Sequence, residues 1–396
     1  MNNKNLNIDE FQYNHIFNLL KDIFEVNEKK YGDYVKDTLK ILLEFENNGE
    51  TIIHVDKTLI LFDLLQDGWP NQHLKVLENL GLLNSINAPF VFNDRKLTLV
   101  KWSVKINRLI NTFLKRINKI AINSDDDNKL DQIKNIFKSS NLVFLQGGPG
   151  TGKTTLIINF ILDSLKKDSF LNIGLAAPTG KATSRLKESL NEQKDIFLSN
   201  CLDQIECQTL HKWIINSKHK AIKLKFKLKE LDIFVIDEMS MVNIDMIELT
   251  LDLLAKDCKI ILVGDRNQLS PVKSCSIWNY LFEYSKNNLI KSCMVNLNRT
   301  FRNSGDIELL SNLIFNSKNF LFQQKINELE YEKTSEEVNI IKSKNKNIPL
   351  DLVNIIQNNL EKLRKSVSNL SNKKYIFDSC IDNLLDKEKD LVNKIL

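Results

Sequence analysis

The chain has 396 residues, enough for two or three domains with separate cores, and its 42% hydrophobic and 27% charged residues are ordinary for a globular protein. No apolar run reaches the roughly 18 to 20 residues that span a bilayer, and Met1-Asn2-Asn3-Lys4-Asn5 leads into polar sequence with no secretory core, so a cytoplasmic location is the expectation. A net charge of +5, six scattered cysteines without a Cys-x-x-Cys pair and five unclustered histidines assign no nucleic-acid partner, disulfide framework or resident metal by themselves.

Residues 1–105 read as a small, mostly helical unit suited to partner docking. Phe11, Ile16, Leu19, Leu20 and Ile23 recur at helical spacing, as do Val35, Leu39, Leu42 and Leu43. Gly68-Trp69-Pro70 breaks the chain. Asn71 is then expected to cap a helix carrying Leu74, Leu77 and Leu80, which Gly81 ends. Phe90–Phe92 and Leu97–Leu99, joined through Asn93-Asp94, predict a short hairpin. A helix follows with Trp102, Ile106, Ile110, Phe113 and Ile117 on one stripe.

From about residue 106 to 295 the pattern changes. Apolar runs of strand length at Leu142–Leu145, Ile173–Ala177, Ile233–Ile236 and Lys259–Val263 alternate with helical patterns. Such alternation predicts an α/β fold, a parallel sheet with helices on both faces, whose ligands bind beyond the carboxyl ends of the strands. Lys223–Lys229 alternates lysine with apolar residues and predicts a strand with four lysines on one face, most simply a solvated edge hairpin and alternatively a track for a phosphate backbone. Residues 296–396 carry weaker signals. Residues 322–348 are polar, and Leu350–Leu370 reads as an amphipathic helix.

The chemistry sits at the strand ends. Gly147-Gly148-Pro149-Gly150-Thr151-Gly152-Lys153-Thr154 matches Gly-x-x-x-x-Gly-Lys-Thr, follows a strand and opens a helix at Thr155. Glycines let backbone amides close around phosphate oxygens, and the helix N-terminus adds favourable partial charge. Lys153 is expected to bridge the β- and γ-phosphates of ATP, and Thr154 to bind Mg²⁺. A second apolar strand delivers Asp237 and Glu238, the first suited to hold the same ion and the second to orient and deprotonate the attacking water. A third, Leu262-Val263-Gly264-Asp265, leads to Gln268, an amide placed to feel the γ-phosphate.

Taken with Ala177-Pro178-Thr179-Gly180-Lys181-Ala182-Thr183, Thr209-Leu210-His211-Lys212-Trp213 and Asp237-Glu238-Met239-Ser240-Met241, this series resembles superfamily 1 helicases, and within them the RecD family, α subunits of exodeoxyribonuclease V. The resemblance covers most of residues 60–310. It implies a P-loop, RecA-like motor domain at 106–295, followed from 296 by the start of a second one. It implies an ATP-dependent 5′-to-3′ DNA helicase subunit that works with RecB-like and RecC-like partners on double-strand DNA ends in recombinational repair. By the same resemblance Gln132 matches a glutamine that reads adenine, at slightly shorter spacing. Thr179, Lys181, Thr209 and His211 match segments facing single-stranded DNA. Gln268 couples the γ-phosphate to the DNA path, and Arg302 in Leu297-Asn298-Arg299-Thr300-Phe301-Arg302 reaches the γ-phosphate from across the cleft.

The sequence departs from the family further on. There is no histidine after His219 and no glycine after Gly305, and Arg364 is the sole arginine after Arg302. The histidine-, glutamine- and glycine-bearing motif and the arginine finger of a complete second motor domain are therefore missing, and the expectation is a C-terminally truncated subunit with weak activity alone. Two rivals are a stand-alone RecD-like helicase and a nucleotide-binding subunit without motor function.

Overall fold

The computed structural model describes residues 10–55, 68–120, 128–192, 204–218, 225–266, 268, 277–283 and 287–297, and later 306, 309–310, 313–314, 319–332, 357–358 and 360–361. The chain forms two compact units, Met1–Arg302 and Asn303–Leu396.

The first unit holds two hydrophobic cores. In the N-terminal one, helices α1 (Glu10–Ile23), α2 (Glu28–Asn47) and α3 (Asn71–Asn79) accompany a three-stranded antiparallel sheet. Its order is β1 (Ile52–His54), β3 (Lys96–Leu99), β2 (Phe90–Asn93). The predicted hairpin forms with Asn93 paired to Lys96, so its two-residue loop is Asp94-Arg95, one position later than expected. Both loop residues have positive φ, at 48° and 60°, the backbone a tight hairpin turn with matching twist requires.

Two local readings are corrected. On α1 the core takes Tyr13, Phe17 and Leu20, while Phe11, Leu19 and Ile23 of the predicted stripe are exposed. The helix is apolar on two sides, and spacing alone does not choose between them. The cap of α3 also differs. Pro70 occupies the N-cap position and Asn71 is the first helical residue, because the chain has already turned at Gly68, whose carbonyl accepts from the Gln72 N–H at 2.9 Å.

Helix α4 (Val100–Leu114) leaves β3 directly and buries Trp102, Ile106, Leu109, Ile110 and Phe113 in the second core. That core surrounds a six-stranded parallel sheet. Its strands are β4 (Leu142–Gly147), β5 (Ile173–Ala177), β6 (Ile205–Thr209), β7 (Ile233–Ile236), β8 (Lys259–Gly264) and β9 (Met294–Leu297), in the order β6-β5-β7-β8-β4-β9. Every residue of β5 and β7 is buried. Both faces of the sheet are thus covered, which is why the central strands read as unbroken apolar runs. Each fully buried Leu, Ile, Val or Phe contributes about 1.5–3 kcal/mol.

The covering helices are α5 (Lys129–Ile136), α6 (Lys153–Lys167), α7 (Gly180–Glu192), α8 (Leu210–Lys218), α9 (Ile244–Leu253), α10 (Ile277–Glu283) and α11 (Asn288–Ser292). Arg116, just beyond α4, is buried and fastens this layer. Its guanidinium donates to the carbonyls of Leu251 at 3.1 Å and Ala255 at 2.9 Å. A cation at the C-terminus of α9 satisfies exposed carbonyls and meets the negative end of the helix dipole. Cys207, Cys258 and Cys293 are buried free thiols, and burial pushes the first two up to about 12.

The alternating lysine segment is a further correction. Lys223 and Leu224 lie outside the described residues. Lys225–Lys229 forms no strand: Leu228 is fully buried and opens a single 3-10 turn, Leu228–Glu230, closed by the Lys227 N–H to Glu230 Oε2 bond at 3.0 Å. The buried Leu228 anchors this turn, and the described part of the alternation pairs with no strand.

In the second unit, α12 (Asn319–Glu332) carries Lys325, whose ammonium lies 3.5 Å from Glu328 and 3.7 Å from Asp306. The amphipathic helix expected over Leu350–Leu370 falls almost wholly outside the described residues. No described helix is long and apolar enough to cross a membrane.

Candidate nucleotide site at the carboxyl edge of the sheet

Because all six strands run the same way, their carboxyl ends share one edge. Across it the order of strands places, from one side, Thr209 at the end of β6, Thr179 after β5, Asp237 and Glu238 after β7, Gln268 after β8 and the loop that runs from the last residue of β4, Gly147, to Thr154. Neighbouring strands lie about 4.8 Å apart, so β7, β8 and β4 gather their terminal residues within the span of a nucleotide's phosphates.

The loop turns through Gly150 at φ +73° and Gly152 at φ +82°, left-handed conformations that favour glycine. Gly152 is the N-cap of α6, so the following amides point out of the helix end toward the loop. Lys153 is half-buried, and its ammonium donates to the carbonyls of Gly147 at 2.6 Å and Gly148 at 2.8 Å. The Thr151 hydroxyl donates to the Gly148 carbonyl at 2.9 Å and braces the turn. Gly147 is required by packing, since a Cβ there would strike Thr151 Oγ1 and Leu297. Gly148 is different: a Cβ there would meet nothing closer than Thr151 Cγ2 at 4.0 Å, so room inside the chain is not what calls for glycine. Pro149 and Thr155 are exposed, and Thr154 is half-buried at the first turn of α6.

Asp237 and Glu238 leave β7 where its hydrogen bonds to β5 end, the Asp237 N–H donating to the Ala176 carbonyl at 2.9 Å. Burial pushes the Asp237 carboxyl above the ordinary carboxylate range. The Glu238 N–H, 2.8 Å from Asp237 Oδ1, and the Lys153 ammonium pull the other way, while the Glu238 charge adds to the rise. Carboxyls perturbed in this way concentrate at functional sites. Glu238 itself sits at φ 53° and ψ 43°, a left-handed conformation that costs a non-glycine residue about 1–3 kcal/mol and concentrates at functional sites. The 3-10 turn Met239–Met241 follows at once, with its first residue Met239 and the following Val242 both buried.

Gln268 is half-buried beyond β8. Its N–H donates to the Asp265 carbonyl at 3.3 Å, and its side-chain Oε1 accepts from the Ser240 hydroxyl at 3.1 Å. Gln132 lies on α5, half-buried, with its Oε1 3.4 Å from the Lys129 ammonium. Thr179 and Thr209 each start a helix. Thr179 Oγ1 accepts from the Ala182 N–H at 3.2 Å, and Thr209 Oγ1 from the Lys212 N–H at 3.4 Å. Lys181 and His211 are exposed on the first turns of α7 and α8. Arg302 lies outside the described residues.

The sequence assigns no role to two further contributors, although Ser240 lies within the Asp237–Met241 motif. Trp278 on α10 is fully buried, donates from its indole N–H to Gln146 Oε1 at 2.8 Å, and occupies the space that a side chain on Gly264 would need. It thereby locks the ends of β4 and β8 together. Ser240 joins the β7 turn to Gln268. Both contacts link residues far apart in sequence, and only the fold brings them together.

Comparison with known proteins finds the following similarities. The family model described as an AAA domain matches residues 131–274. The RecBCD enzyme subunit RecD of Buchnera aphidicola subsp. Acyrthosiphon pisum is 29% identical over 326 residues, covering 69% of this chain and 53% of that protein. Its counterpart from Buchnera aphidicola subsp. Schizaphis graminum is 34% identical over 264 residues, 52% of this chain and 42% of that one. The chain thus spans about half the length of these relatives. Among solved structures, the Pif1 helicase of Candida albicans aligns over 48% of this chain and 44% of its own, at 21% identity and a TM-score of 0.31. The phosphate loop and the Asp-Glu strand end both lie within the stretch that the AAA domain model matches, and the chain is similar to RecD subunits of the RecBCD enzyme.

Proposed function

We propose that this chain is the nucleotide-driven part of a RecD-type DNA motor subunit, hydrolysing ATP with Mg²⁺ while holding single-stranded DNA. The observation that carries the reading is the shared carboxyl edge, where the phosphate loop, Asp237–Glu238 and Gln268 stand on adjoining strands and Thr179 and Thr209 continue the line.

In this reading Lys153 exchanges the carbonyls of Gly147 and Gly148 for β- and γ-phosphate oxygens, and the amides after Gly152 take the remainder. Gln132 holds the adenine edge. Among the described residues no group of three or more His, Cys, Asp or Glu side chains could cage a metal. Magnesium keeps waters and phosphate oxygens, and Asp237 and Thr154 would be its protein ligands. The ion, when bound, would neutralise charge on the β- and γ-phosphates. Glu238, held out of the strand by its left-handed backbone, orients the attacking water and accepts its proton.

Thr179, Lys181, Thr209 and His211 contact the DNA backbone, giving sequence-independent, salt-sensitive binding. Gly180 supports this: it has no neighbour within 4 Å of a Cβ position, so packing does not require glycine between Thr179 and Lys181. By the resemblance of its motif, Arg302 is the residue assigned to the γ-phosphate. RecB-like and RecC-like partners acting on double-strand DNA ends complete the machine.

The test is steady-state ATP hydrolysis with and without single-stranded DNA, by the chain and its Lys153→Gln variant, alone and mixed with RecB- and RecC-type subunits. DNA-stimulated turnover that depends on Lys153 and rises with partners is expected. Turnover equal to the variant in every mixture contradicts a motor, and strong unwinding without partners identifies a stand-alone helicase instead.

A further inference from the structure

We infer that Ser240 is a positioning residue that fixes the orientation of the Gln268 amide, so that its nitrogen faces the terminal phosphate; the inference rests on the nucleotide-site reading above. A glutamine amide has one acceptor oxygen and a nitrogen with two donors. The Ser240 hydroxyl donates to Oε1 at 3.1 Å, which engages the acceptor and leaves the donors to point elsewhere. Without that bond the amide can turn its oxygen toward phosphate, where two acceptors repel.

Ser240 is suited to the task because it cannot drift. It is 2% exposed, at the centre of the turn Met239–Met241. That turn is closed by the Met241 N–H to Glu238 carbonyl bond at 3.0 Å and the Val242 N–H to Met239 carbonyl bond at 3.1 Å. At the far end Asn243 accepts from the Met246 N–H at 2.8 Å and caps α9. The turn begins at Glu238, the residue in left-handed backbone. The proposed water-holding residue and the amide that reads the phosphate are therefore linked through one short, rigid segment. A shift of Gln268 on loss of the terminal phosphate reaches Glu238 across two residues of chain.

The experiment is equilibrium binding, which needs no turnover. Affinities for ADP and for a non-hydrolysable ATP analogue are measured on the full chain and on Ser240→Ala, Gln268→Ala and the double variant. Ser240→Ala should leave ADP affinity unchanged and lower the preference for triphosphate roughly 3- to 10-fold, the effect of one hydrogen bond. On the Gln268→Ala background the same change should do nothing more. An equal fall on both backgrounds, or an unchanged preference in Ser240→Ala, overturns the inference. ADP affinity reports whether the variant folds. If Ser240→Ala loses it, Ser240→Cys keeps a weaker donor in similar volume and should show a smaller fall, with no fall counting against the inference. Failure of the wild-type chain to bind either nucleotide would instead sink the underlying site reading.

Discussion

The indole of Trp278 stands where a side chain on Gly264 would have to go, and this close approach ties α10 to the end of β8. Gly264→Ala should destabilise the chain by about 1–3 kcal/mol through overpacking. Pairing it with Trp278→Phe should cost less than the sum of the two single changes, because the smaller ring relieves the clash. Urea unfolding of the three variants measures this, and strict additivity would show that the two residues do not share the space.

Arg116 is predicted to matter through shape as well as charge. Its planar guanidinium reaches the Leu251 and Ala255 carbonyls together, which a lysine ammonium cannot do with the same geometry. Arg116→Lys should cost about 1–3 kcal/mol in unfolding free energy, the penalty for buried carbonyls left unsatisfied. A neutral outcome would mean that water serves α9 equally well.

The raised Asp237 carboxyl gives a pH-dependent prediction. Its folded pKa lies above the unfolded one, so its contribution to stability is fully present below the ordinary carboxylate value and is lost as pH rises through the folded pKa. At neutral pH the ionised group therefore costs stability in the nucleotide-free chain. Asp237→Asn, which can still accept from the Glu238 N–H, should melt higher than wild type near pH 7, with the advantage vanishing below the ordinary aspartate range. The same variant should lose hydrolysis at least about 10²-fold, since metal charge stabilisation amounts to several kcal/mol. A variant that melts lower at pH 7 would contradict the desolvation account.

For DNA, Lys181→Ala should weaken binding to single strands of any sequence and flatten the plot of log affinity against log salt by about 0.7. Fluorescence anisotropy on a labelled oligonucleotide checks it. Thr179 needs gentler treatment, because its hydroxyl also caps α7, and Thr179→Ser keeps that cap. An unchanged slope for Lys181→Ala would remove Lys181 from the phosphate path.

The sequence disclosed those parts of the molecule whose signal is local. Strands β4, β5, β7 and β8 are central and, apart from half-buried Gln146 and exposed Lys259, buried along their length, so each was plain as a run. The phosphate loop and Asp237–Glu238 were legible because they directly follow such runs. Strands β6 and β9 were not. They are the sheet's edges, four or five residues long, and polar residues such as Glu206, Gln208 and Asn296 interrupt their apolar pattern. The Lys225–Lys229 alternation misled because a period of two needs a neighbouring strand to mean anything. Nor could spacing foresee contacts that close over long separations: Ser240 with Gln268, Trp278 with Gln146, and Arg116 with the end of α9, separated by 28, 132 and 135–139 residues.

The central claim is that the carboxyl edge of the parallel sheet is a magnesium–nucleotide site. Titration of a fluorescent ATP analogue onto the chain, with and without magnesium, beside Lys153→Gln and Asp237→Asn, tests it most directly. The account predicts saturable binding by wild type that tightens with magnesium, a large loss in Lys153→Gln, and loss of the magnesium effect alone in Asp237→Asn. Equal binding by all three proteins, indifferent to magnesium, would contradict it.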